Sequence, residues 1–362
     1  MRPRVVLLLL LLAGCALLVY WLLQRAAGPA RPGVDAAVSR RSPGRGPARP
    51  ASVAVEVSQA IREHAGQASG RLVVRGGWGG EPGQFGRQAG PERNPEGPMS
   101  LVVDGSGSLL VLDEHNRRVQ RFGPDGRLIS SLTIGSQAAQ DLAIDDKGRT
   151  LVLDRLGQPG IEVYGADGKL AERLPVVGGL VREGGAITGV FADKDGVYVE
   201  NEHDDLVRVA DGAGKPTGLT ESMPGRPTRD GRLYLKAGII DKAAGRVYVQ
   251  AHDAQQQLVW ETPLNLGRPL LHVLLLDSDR QGHVYLGVEV GREDPTTHSF
   301  SELATLVMRL GASSGVLDGV LTLPPCSSGA VESFRPLTVG DDGTVYQMVV
   351  GPKGVTVTAY RF

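Results

Sequence analysis

Three short segments of the sequence combine a histidine with acidic or amide side chains. They are Asp113-Glu-His-Asn116, Glu200-Asn-Glu-His-Asp-Asp205 and Gln250-Ala-His-Asp253, which contain His115, His203 and His252. Imidazole and carboxylate groups are common zinc ligands and common acids and bases in catalysis. A metal site needs its ligand atoms within about 2.5 Å of one ion. We expect the three segments to lie in separate loops as solvated polar turns, and we predict no metal site.

Motifs of other chemistries are absent from the sequence. The chain has no Gly-x-Ser-x-Gly, no His-Glu-x-x-His, no paired cysteine ligands and no EF-hand loop. The glycine-rich run 76–80 precedes a turn rather than a helix, so it does not place a phosphate at a helix N-terminus. We therefore predict no cofactor, and the sequence identifies no catalytic residue.

Composition favours a fold that is rich in turns. The 362 residues include 50 glycines and 23 prolines, about one residue in five, which disfavours helix-dominated folds. With 41% hydrophobic and 22% charged residues, the chain has the material for a core. A formal net charge of −1 argues against nucleic acid as a partner. Two cysteines, Cys15 and Cys326, cannot form a disulfide scaffold.

A strand, an Asp/Gly turn and a second strand recur six times along the chain. The copies span residues 101–113, 142–154, 189–201, 238–250, 274–288 and 337–349. Their aspartates Asp104, Asp145, Asp193, Asp241, Asp277 and Asp341 are 41, 48, 48, 36 and 64 residues apart. These spacings scatter about the length of one four-stranded propeller blade.

The better copies continue with a third strand, a second tight turn and a fourth strand. Residues 118–133 contain Pro124-Asp-Gly126 between two apolar segments, and residues 161–174 contain Ala166-Asp-Gly168 in the same place. The glycine in each tripeptide supplies the positive φ that a tight hairpin turn requires. Four antiparallel strands per unit predict a β-propeller.

At this level the sequence resembles the NHL-repeat β-propellers. The best match runs from Gly83-Gln84-Phe85 through the strand–turn–strand that ends at Asp113, and on to 116–122 (Asn-Arg-Arg-Val-Gln-Arg-Phe) and 124–126 (Pro-Asp-Gly). The resemblance is specific over residues 76–134 and covers about 71–362 in architecture. It implies a β-propeller, and the six copies of the repeat predict six blades.

The last copy has only three strands before the chain ends, and Arg71–Arg75 is the candidate for its missing fourth strand. An N-terminal strand in that position would cover an otherwise open sheet edge. The fourth copy leaves little room for a full fourth strand after Trp260, which favours a degenerate blade in a six-bladed ring over a seven-bladed ring or a two-domain chain. The predicted fold is an all-β, six-bladed propeller (70–362), closed by an N-terminal strand and preceded by a membrane helix (1–24) and a Pro/Gly/Arg-rich linker (25–69) with a possible short helix.

Residues that begin the innermost strands of a propeller surround the mouth of its channel. The pattern places Ser100, Asp141, Thr188, Lys236, His272 and Arg335 there. Lys236 and Arg335 would repel a divalent cation, so the set suits an anionic small molecule or an acidic peptide. We assign Asp141, Lys236, His272 and Arg335 as candidate ligand-binding residues.

Loop lengths differ between the two faces of the predicted propeller. Turns after first and third strands are short, whereas loops after second and fourth strands hold three expected insertions, 221–232, 291–302 and 323–334. Long loops gathered on one face of a rigid scaffold commonly carry binding sites. We therefore expect a protein or small-molecule ligand on this insertion face.

The N-terminal segment is apolar enough to enter a membrane. Nineteen uncharged residues from Val5 to Leu23 would span about 28 Å as a helix, close to the thickness of a bilayer core. Leu12-Ala-Gly-Cys15 also matches a lipobox, in which Cys15 would be lipidated after cleavage. An uncleaved anchor, a lipoprotein and a cleaved signal all stay open. Basic residues flank the segment on both sides, so charge does not settle its orientation, and we expect export of the propeller.

The function predicted from the sequence is a membrane-tethered binding or assembly module outside the cytoplasm, in a bacterial-type cell membrane. The alternative is a propeller enzyme, a lyase or lactonase-like hydrolase, with its site in the axial channel. Bound divalent metal would favour the enzyme.

If residues 5–23 form an uncleaved anchor, the protein should stay in membranes after high-salt and carbonate washing. Mass spectrometry of the purified protein should then find the original N-terminus. A mature chain that begins at a diacylated Cys15 would establish the lipoprotein instead.

Overall fold

The computed structural model describes residues 54–63, 69–90, 93–201, 205–297, 299–326 and 333–362. Within these ranges the strands form six sheets of four or five strands and one separate hairpin. Each large sheet is built mainly from consecutive antiparallel strands, so it is one blade of an all-β, six-bladed propeller. The predicted membrane segment and Cys15 lie outside the described residues. Among the residues described, no helix is long and apolar enough to cross a bilayer.

Five elements precede the first blade. They are β1 Val55–Glu56, α1 Val57–Glu63, β2 Arg71–Gly76, β3 Gln88–Gly90 and β4 Arg93–Glu96. The strands β3 and β4 form the separate hairpin.

The first three blades each contain four consecutive strands. Blade 1 comprises β5 Ser100–Val103, β6 Leu109–Asp113, β7 Arg118–Phe122 and β8 Leu128–Thr133. Blade 2 comprises β9 Ala139–Ile144, β10 Thr150–Asp154, β11 Gly160–Tyr164 and β12 Leu170–Pro175. Blade 3 comprises β13 Ile187–Asp193, β14 Gly196–Asn201, β15 Asp205–Asp211 and β16 Ser222–Met223. Short 3-10 helices occupy Glu114–Asn116 and Gly184–Ala186.

Blades 4 and 6 include strands from the N-terminal segment. Blade 4 comprises β17 Arg226–Pro227, β18 Tyr234–Asp241, β19 Arg246–His252 and β20 Leu258–Asn265, with β1 as a fifth, outermost strand. Blade 5 comprises β21 Leu270–Ser278, β22 Val284–Glu293, β23 Phe300–Leu310 and β24 Leu317–Leu323. Blade 6 comprises β25 Leu337–Val339, β26 Val345–Gly351 and β27 Gly354–Tyr360, with β2 outermost.

The hydrophobic core lies between neighbouring blades. In the described residues, separate clusters of buried side chains join blades 1 and 2, 2 and 3, 4 and 5, 5 and 6, and 6 and 1. Strands such as β6 and β11 are buried along their whole length because a neighbouring blade covers each face. No such cluster joins blades 3 and 4 in the part of the chain that is described. That interface instead contains the Lys236–Asp205 ion pair (3.2 Å).

The recurring Asp/Gly turns have a common hydrogen-bond pattern. In blade 1, the Oδ1 atom of Asp104 accepts hydrogen bonds from the backbone N–H groups of Ser106 (2.8 Å) and Ser108 (2.9 Å). The same two acceptor contacts recur at Asp145 in blade 2 and at Asp279 in blade 5. The turn aspartate of blade 5 is therefore Asp279, not Asp277 as the repeat pattern predicted. The antiparallel order puts these turns on one face, here called the turn face, and the loops between blades on the opposite connector face.

Ring closure by the N-terminal strand is confirmed. Strand β2 pairs antiparallel with β27, with Arg71 opposite Ala359 and Gly76 opposite Val355. Val73 and Val74 are buried in the cluster between blades 6 and 1. Gly126, at φ +80°, lies in the second turn of blade 1, where a Cβ atom would be 1.8 Å from the carbonyl oxygen of Val73. The Pro-Asp-Gly turn therefore needs its glycine both for the backbone conformation and for packing on the closing strand.

The strand assignment predicted for blade 4 is wrong by one strand. The hairpin 238–250 forms the second and third strands, because β17 pairs with β18 on the channel side. In this pairing Arg226 lies opposite Leu235, and Pro227 lies opposite Tyr234. β17 is two residues long and contains a proline, so it has no apolar alternation to mark it as a strand. The expected lack of room for a fourth strand is likewise wrong, since β20 extends over eight residues. The degenerate strand of this blade is the innermost one.

Residues 55–63, which the sequence assigned to the linker, pack on blades 4 and 5. Strand β1 runs parallel to β20, and the Nδ2 atom of Asn265 donates to both carboxylate oxygens of Glu56 (2.9 and 3.1 Å). Val57 is fully buried and Ala60 is nearly so, within the cluster between blades 4 and 5. The short helix is thus part of the propeller core.

Removal of β2 should destabilise the ring strongly. A chain that begins at Gly77 loses the pairing of β27 and the burial of two valines, whereas one that begins at Ser69 keeps both. Each valine contributes about 1.5–3 kcal/mol and unpaired backbone groups add to the loss, so we expect a difference on the order of 5 kcal/mol. Urea unfolding of the two chains measures it, and equal midpoints would refute closure by β2.

Truncation of Val57 to alanine should release the N-terminal segment without unfolding the ring. The lost burial, about 1–2 kcal/mol, should accelerate amide exchange in residues 55–63 by roughly 10-fold while exchange in blades 1 and 2 stays unchanged. The exposed Val177→Ala, away from this segment, is the matched control and should leave exchange in residues 55–63 almost unaffected. Equal exchange rates in both variants would show that the segment is held by something other than Val57.

Candidate functional site

A cavity of about 220 Å³ lies among the inner strands of the propeller. Five blades contribute to its walls, through the inner strands and the segments that lead into them. The lining residues are Arg155, Thr188, Phe191, Arg226, Val273, Leu274, Leu275, Leu276, Asp277, Phe334, Arg335, Leu337 and Thr338. The walls thus combine three arginines and two phenylalanine rings with an aliphatic strand.

Glycine in the third blade leaves space for two of these side chains. A Cβ atom at Gly189 would lie 2.8 Å from the Phe191 ring and 3.4 Å from Nη2 of Arg335. The guanidinium carbons of Arg226 and Arg335 lie 4.3 and 4.8 Å from the centroid of the Phe191 ring. These are cation–π distances, so the ring holds both guanidinium groups at the cavity wall.

Arg335 forms a buried ion pair with Asp141. Its Nη2 atom donates to Oδ2 of Asp141 (2.5 Å) and to the carbonyl oxygen of Val190 (3.0 Å). The carboxylate also accepts hydrogen bonds from the Ser100 hydroxyl (2.9 Å) and the Val190 N–H (2.9 Å). Burial raises the pKa of Asp141, and the Arg335 guanidinium opposes that shift. Both carboxylate oxygens act only as acceptors in these contacts, as an ionised aspartate does.

Arg226 is neutralised in a similar way by blade 3. Its guanidinium contacts Oε1 of Glu200 at 2.8 Å, and its Nη1 donates to the carbonyl oxygen of Leu276 (2.5 Å). The hydroxyl of Thr188 donates to the other oxygen of Glu200 (2.8 Å). Arg226 therefore bridges blades 3 and 5 across the short inner strand of blade 4.

Arg155 lacks a carboxylate partner among the described residues. Its Nη1 donates to the carbonyl oxygens of Ile187 (3.0 Å) and Gly185 (3.3 Å), and its guanidinium lies 5.0 Å from the centroid of the Phe334 ring. Its Nε is buried without a hydrogen-bond partner. In the described part of the chain, Nη2 of Arg155 has no hydrogen-bond acceptor. The Nε and Nη1 atoms of Arg335 also have no acceptor among the described residues. These donors can bind an anion.

At the turn face, Arg229 joins three blades below the cavity. Its guanidinium contacts Asp277 of blade 5 and Asp341 of blade 6, each at 2.9 Å, and donates to the carbonyl oxygen of Val339 (2.6 Å). Asp341 also pairs with Arg280 (2.6 Å). These contacts neutralise Asp277, the carboxylate that lines the cavity.

The structure brings part of the predicted channel set together. Asp141 and Arg335 form the ion pair, Ser100 donates to it and Thr188 lines the cavity. Lys236 does not begin an innermost strand; it lies on the second strand of blade 4, because β17 takes the inner position.

His272 lies near the start of β21 but outside the cavity lining. Burial and the nearby Lys242 ammonium both lower the pKa of His272 below its usual value. The neutral ring is therefore favoured at neutral pH.

Sequence patterns missed Arg155, Arg226, Phe191 and Phe334. A signal for Arg226 exists, since Thr228-Arg-Asp-Gly231 carries the Asp-Gly dipeptide that ends the inner strand in other blades. The other three positions have no such signal, because they reach the cavity only through the curvature of the ring.

The histidine segments do not converge. His115 lies in the 3-10 helix after the second strand of blade 1, on the connector face, whereas His252 ends the third strand of blade 4 and so lies at the turn face. His203 lies outside the described residues. Within the described ranges no group of three His, Cys, Asp or Glu side chains could hold a metal ion.

The three predicted insertions have different structures. Residues 221–232 are not a connector-face loop, since they contain β16, β17 and a turn at the opposite face. Within the insertion 291–302, the described residues extend β22 and β23 into a hairpin on the connector face, where the N–H of Asp294 donates to the carbonyl oxygen of Ser299 (2.9 Å). The segment 323–334 includes the buried Cys326 and the cavity residue Phe334, while 327–332 lie outside the described residues.

Comparisons with known proteins find similarity in structure alone. No family model and no curated protein matches the sequence. A solved member of the DUF4221 family from Bacteroides vulgatus has a TM-score of 0.47 and 12% identity, over 82% of this chain and 98% of that chain. The virginiamycin B lyase from Staphylococcus aureus has a TM-score of 0.41 and 9% identity, over 76% of this chain and 98% of that chain. The structure of U3-55K has a TM-score of 0.46 and 9% identity, over 73% and 81% of the two chains.

Proposed function

We propose that the protein is a membrane-tethered binding module outside the cytoplasm, and that its channel cavity binds a small anionic ligand. The observation that carries the proposal is the set of unused guanidinium donors of Arg155 and Arg335 in one cavity. Guanidinium groups held in place by aromatic rings and backbone carbonyls are organised before the ligand arrives, so little order is lost on binding.

The groups that line the cavity favour binding over catalysis. Acid–base chemistry needs a titratable group that is free to exchange a proton beside the substrate. Among the described lining residues, the carboxylate is that of Asp277, which is paired with Arg229. The alternative of a lyase or lactonase-like hydrolase therefore lacks a candidate acid or base here.

The connector face is the proposed route of entry. The hairpin 291–302 begins beside the start of β21, where the N–H of Gly291 donates to the carbonyl oxygen of Pro269 (3.1 Å). A partner bound by this hairpin and by the segment that contains Phe334 would cover the mouth of the cavity. In this proposal, the loops that recognise a protein partner and the mouth of the anion site lie on the same face of the propeller.

The NHL-like character of blade 1 is part of the proposal. Asp113 accepts hydrogen bonds from the Gly86 N–H (2.7 Å), Asn116 (2.9 Å) and Arg118 (2.8 Å). Gln120 donates to the carbonyl oxygen of Gln84 (2.7 Å). The residues that carry the resemblance thus bind one another and join the Gly-Gln-Phe segment to the blade. Tethering through residues 5–23, by an anchor or by lipidation at Cys15, is supported by the sequence pattern.

Anionic ligands should stabilise the protein through Arg155. We expect small organic anions to raise the melting temperature of the full-length protein while neutral and cationic analogues do not, since a ligand at 100 times its Kd contributes about 2.7 kcal/mol. Arg155→Gln should abolish the rise. Arg127→Gln, at an exposed position in a tight turn of the opposite face, is the matched control and should retain it. Equal stabilisation of both variants by anions would refute binding at the cavity.

A further inference from the structure

The charged groups in and below the cavity leave one positive charge without a partner. Among the described residues, five guanidinium groups and four carboxylates take part: Arg155, Arg226, Arg229, Arg280 and Arg335 with Asp141, Glu200, Asp277 and Asp341. Four pairs cancel, and Arg155 is left over. The walls of a protein cavity favour an occupant whose charge cancels their own, because opposite charges attract more strongly there than in bulk water. The count therefore favours a monoanion over a dianion.

The unused donors suit a group with two acceptor oxygens. Nη2 of Arg155 and the Nε and Nη1 atoms of Arg335 belong to side chains of different blades that line the same cavity. A carboxylate can accept from one guanidinium with each oxygen, and charge-assisted hydrogen bonds of this kind are short and strong. A halide ion offers no such pair of oxygens.

The rest of the wall is apolar. The strand β21 contributes Val273 to Leu276, blade 6 contributes Leu337, and the rings of Phe191 and Phe334 complete the lining. The cavity volume of about 220 Å³ is below the roughly 300–1,000 Å³ of pockets that take drug-sized ligands. The body of the ligand should therefore be apolar and small.

We infer that the ligand is a monocarboxylate with a short apolar body, either a free small acid or the C-terminal residue of a peptide. This inference rests on the proposed anion-binding function and names the chemical class that the cavity takes. Arg155 is the residue that binds the carboxylate directly. Asp141 and Glu200 are positioning residues, because they hold Arg335 and Arg226 and set the charge of the site.

Calorimetric titration of the full-length protein at about pH 9, where an alkylphosphonate is mainly the dianion and arginine is still charged, tests the class with matched probes. They are 4-methylpentanoate, its neutral amide, the corresponding alkylphosphonate dianion, and the dipeptide acetyl-glycyl-leucine as free acid and as amide. We expect the two carboxylates to bind at least 10-fold more tightly than their amides and than the phosphonate. Tighter binding of the dipeptide acid would identify a peptide C-terminus as the source, and tighter binding of 4-methylpentanoate a free acid.

Variants that change the charge of the site test the charge argument separately. Glu200→Gln adds one positive charge, so the phosphonate should gain at least 10-fold in affinity relative to the carboxylate. Asp141→Asn also adds one positive charge, beside Arg335 instead of Arg226. Circular dichroism shows which of the two variants, Glu200→Gln or Asp141→Asn, keeps the native fold. Arg155→Gln should lower carboxylate affinity at least 10-fold, while Arg127→Gln should leave it unchanged.

The outcomes separate this inference from the proposed function. Amides that bind within threefold of the acids, or a phosphonate that binds the unaltered protein more tightly than the acids, would overturn the monocarboxylate assignment while anion binding through Arg155 still stood. Failure of every anion to bind at 10 mM would overturn both the monocarboxylate assignment and the proposed anion-binding function.

Discussion

The buried ion pair between Asp141 and Arg335 joins four of the six blades at the axis of the ring. Asp141 belongs to blade 2, Arg335 leads into blade 6, and the groups that complete the network come from Ser100 of blade 1 and Val190 of blade 3. Loss of one partner of a buried pair typically costs about 3–5 kcal/mol, because the other charge stays buried. The relative positions of the inner strands, and hence the shape of the cavity, depend on this contact.

The site lies where the ring changes from apolar to polar packing. Apolar clusters join the other neighbouring blades in the described residues, whereas blades 3 and 4 meet through charged side chains such as Lys236 and Asp205. Arg226 reaches the cavity from this interface because the inner strand of blade 4 is only two residues long. A full-length strand of apolar residues would have placed aliphatic side chains there. The degenerate blade and the charge of the cavity are therefore one feature of the sequence.

The N-terminal segment contributes to two distant parts of the ring. Strand β2 supplies the outer strand of blade 6, and β1 with α1 covers the outer edge of blade 4 and packs on blade 5. Both edges would otherwise expose unpaired backbone groups and apolar side chains, which promotes association between chains. Since Val57 and Ala60 are part of the core between blades 4 and 5, the propeller begins earlier in the sequence than the change in composition near residue 70 indicates.

Local patterns in the sequence determined the blade as the repeating unit, the tight turns and the closing strand. Alternating apolar residues, Asp-Gly dipeptides and an unpaired last repeat each act within one hairpin, so their physical causes are visible in a short window. The same patterns placed Asp141 and Arg335 near the axis, because the apolar segments beside them mark the inner strands of blades 2 and 6. They misplaced Lys236 because a two-residue strand that contains proline has no periodicity. Only the tertiary structure decided that Arg155, Phe191, Arg226 and Phe334 meet in one cavity, because these side chains come from different blades and their approach depends on the curvature of the closed ring.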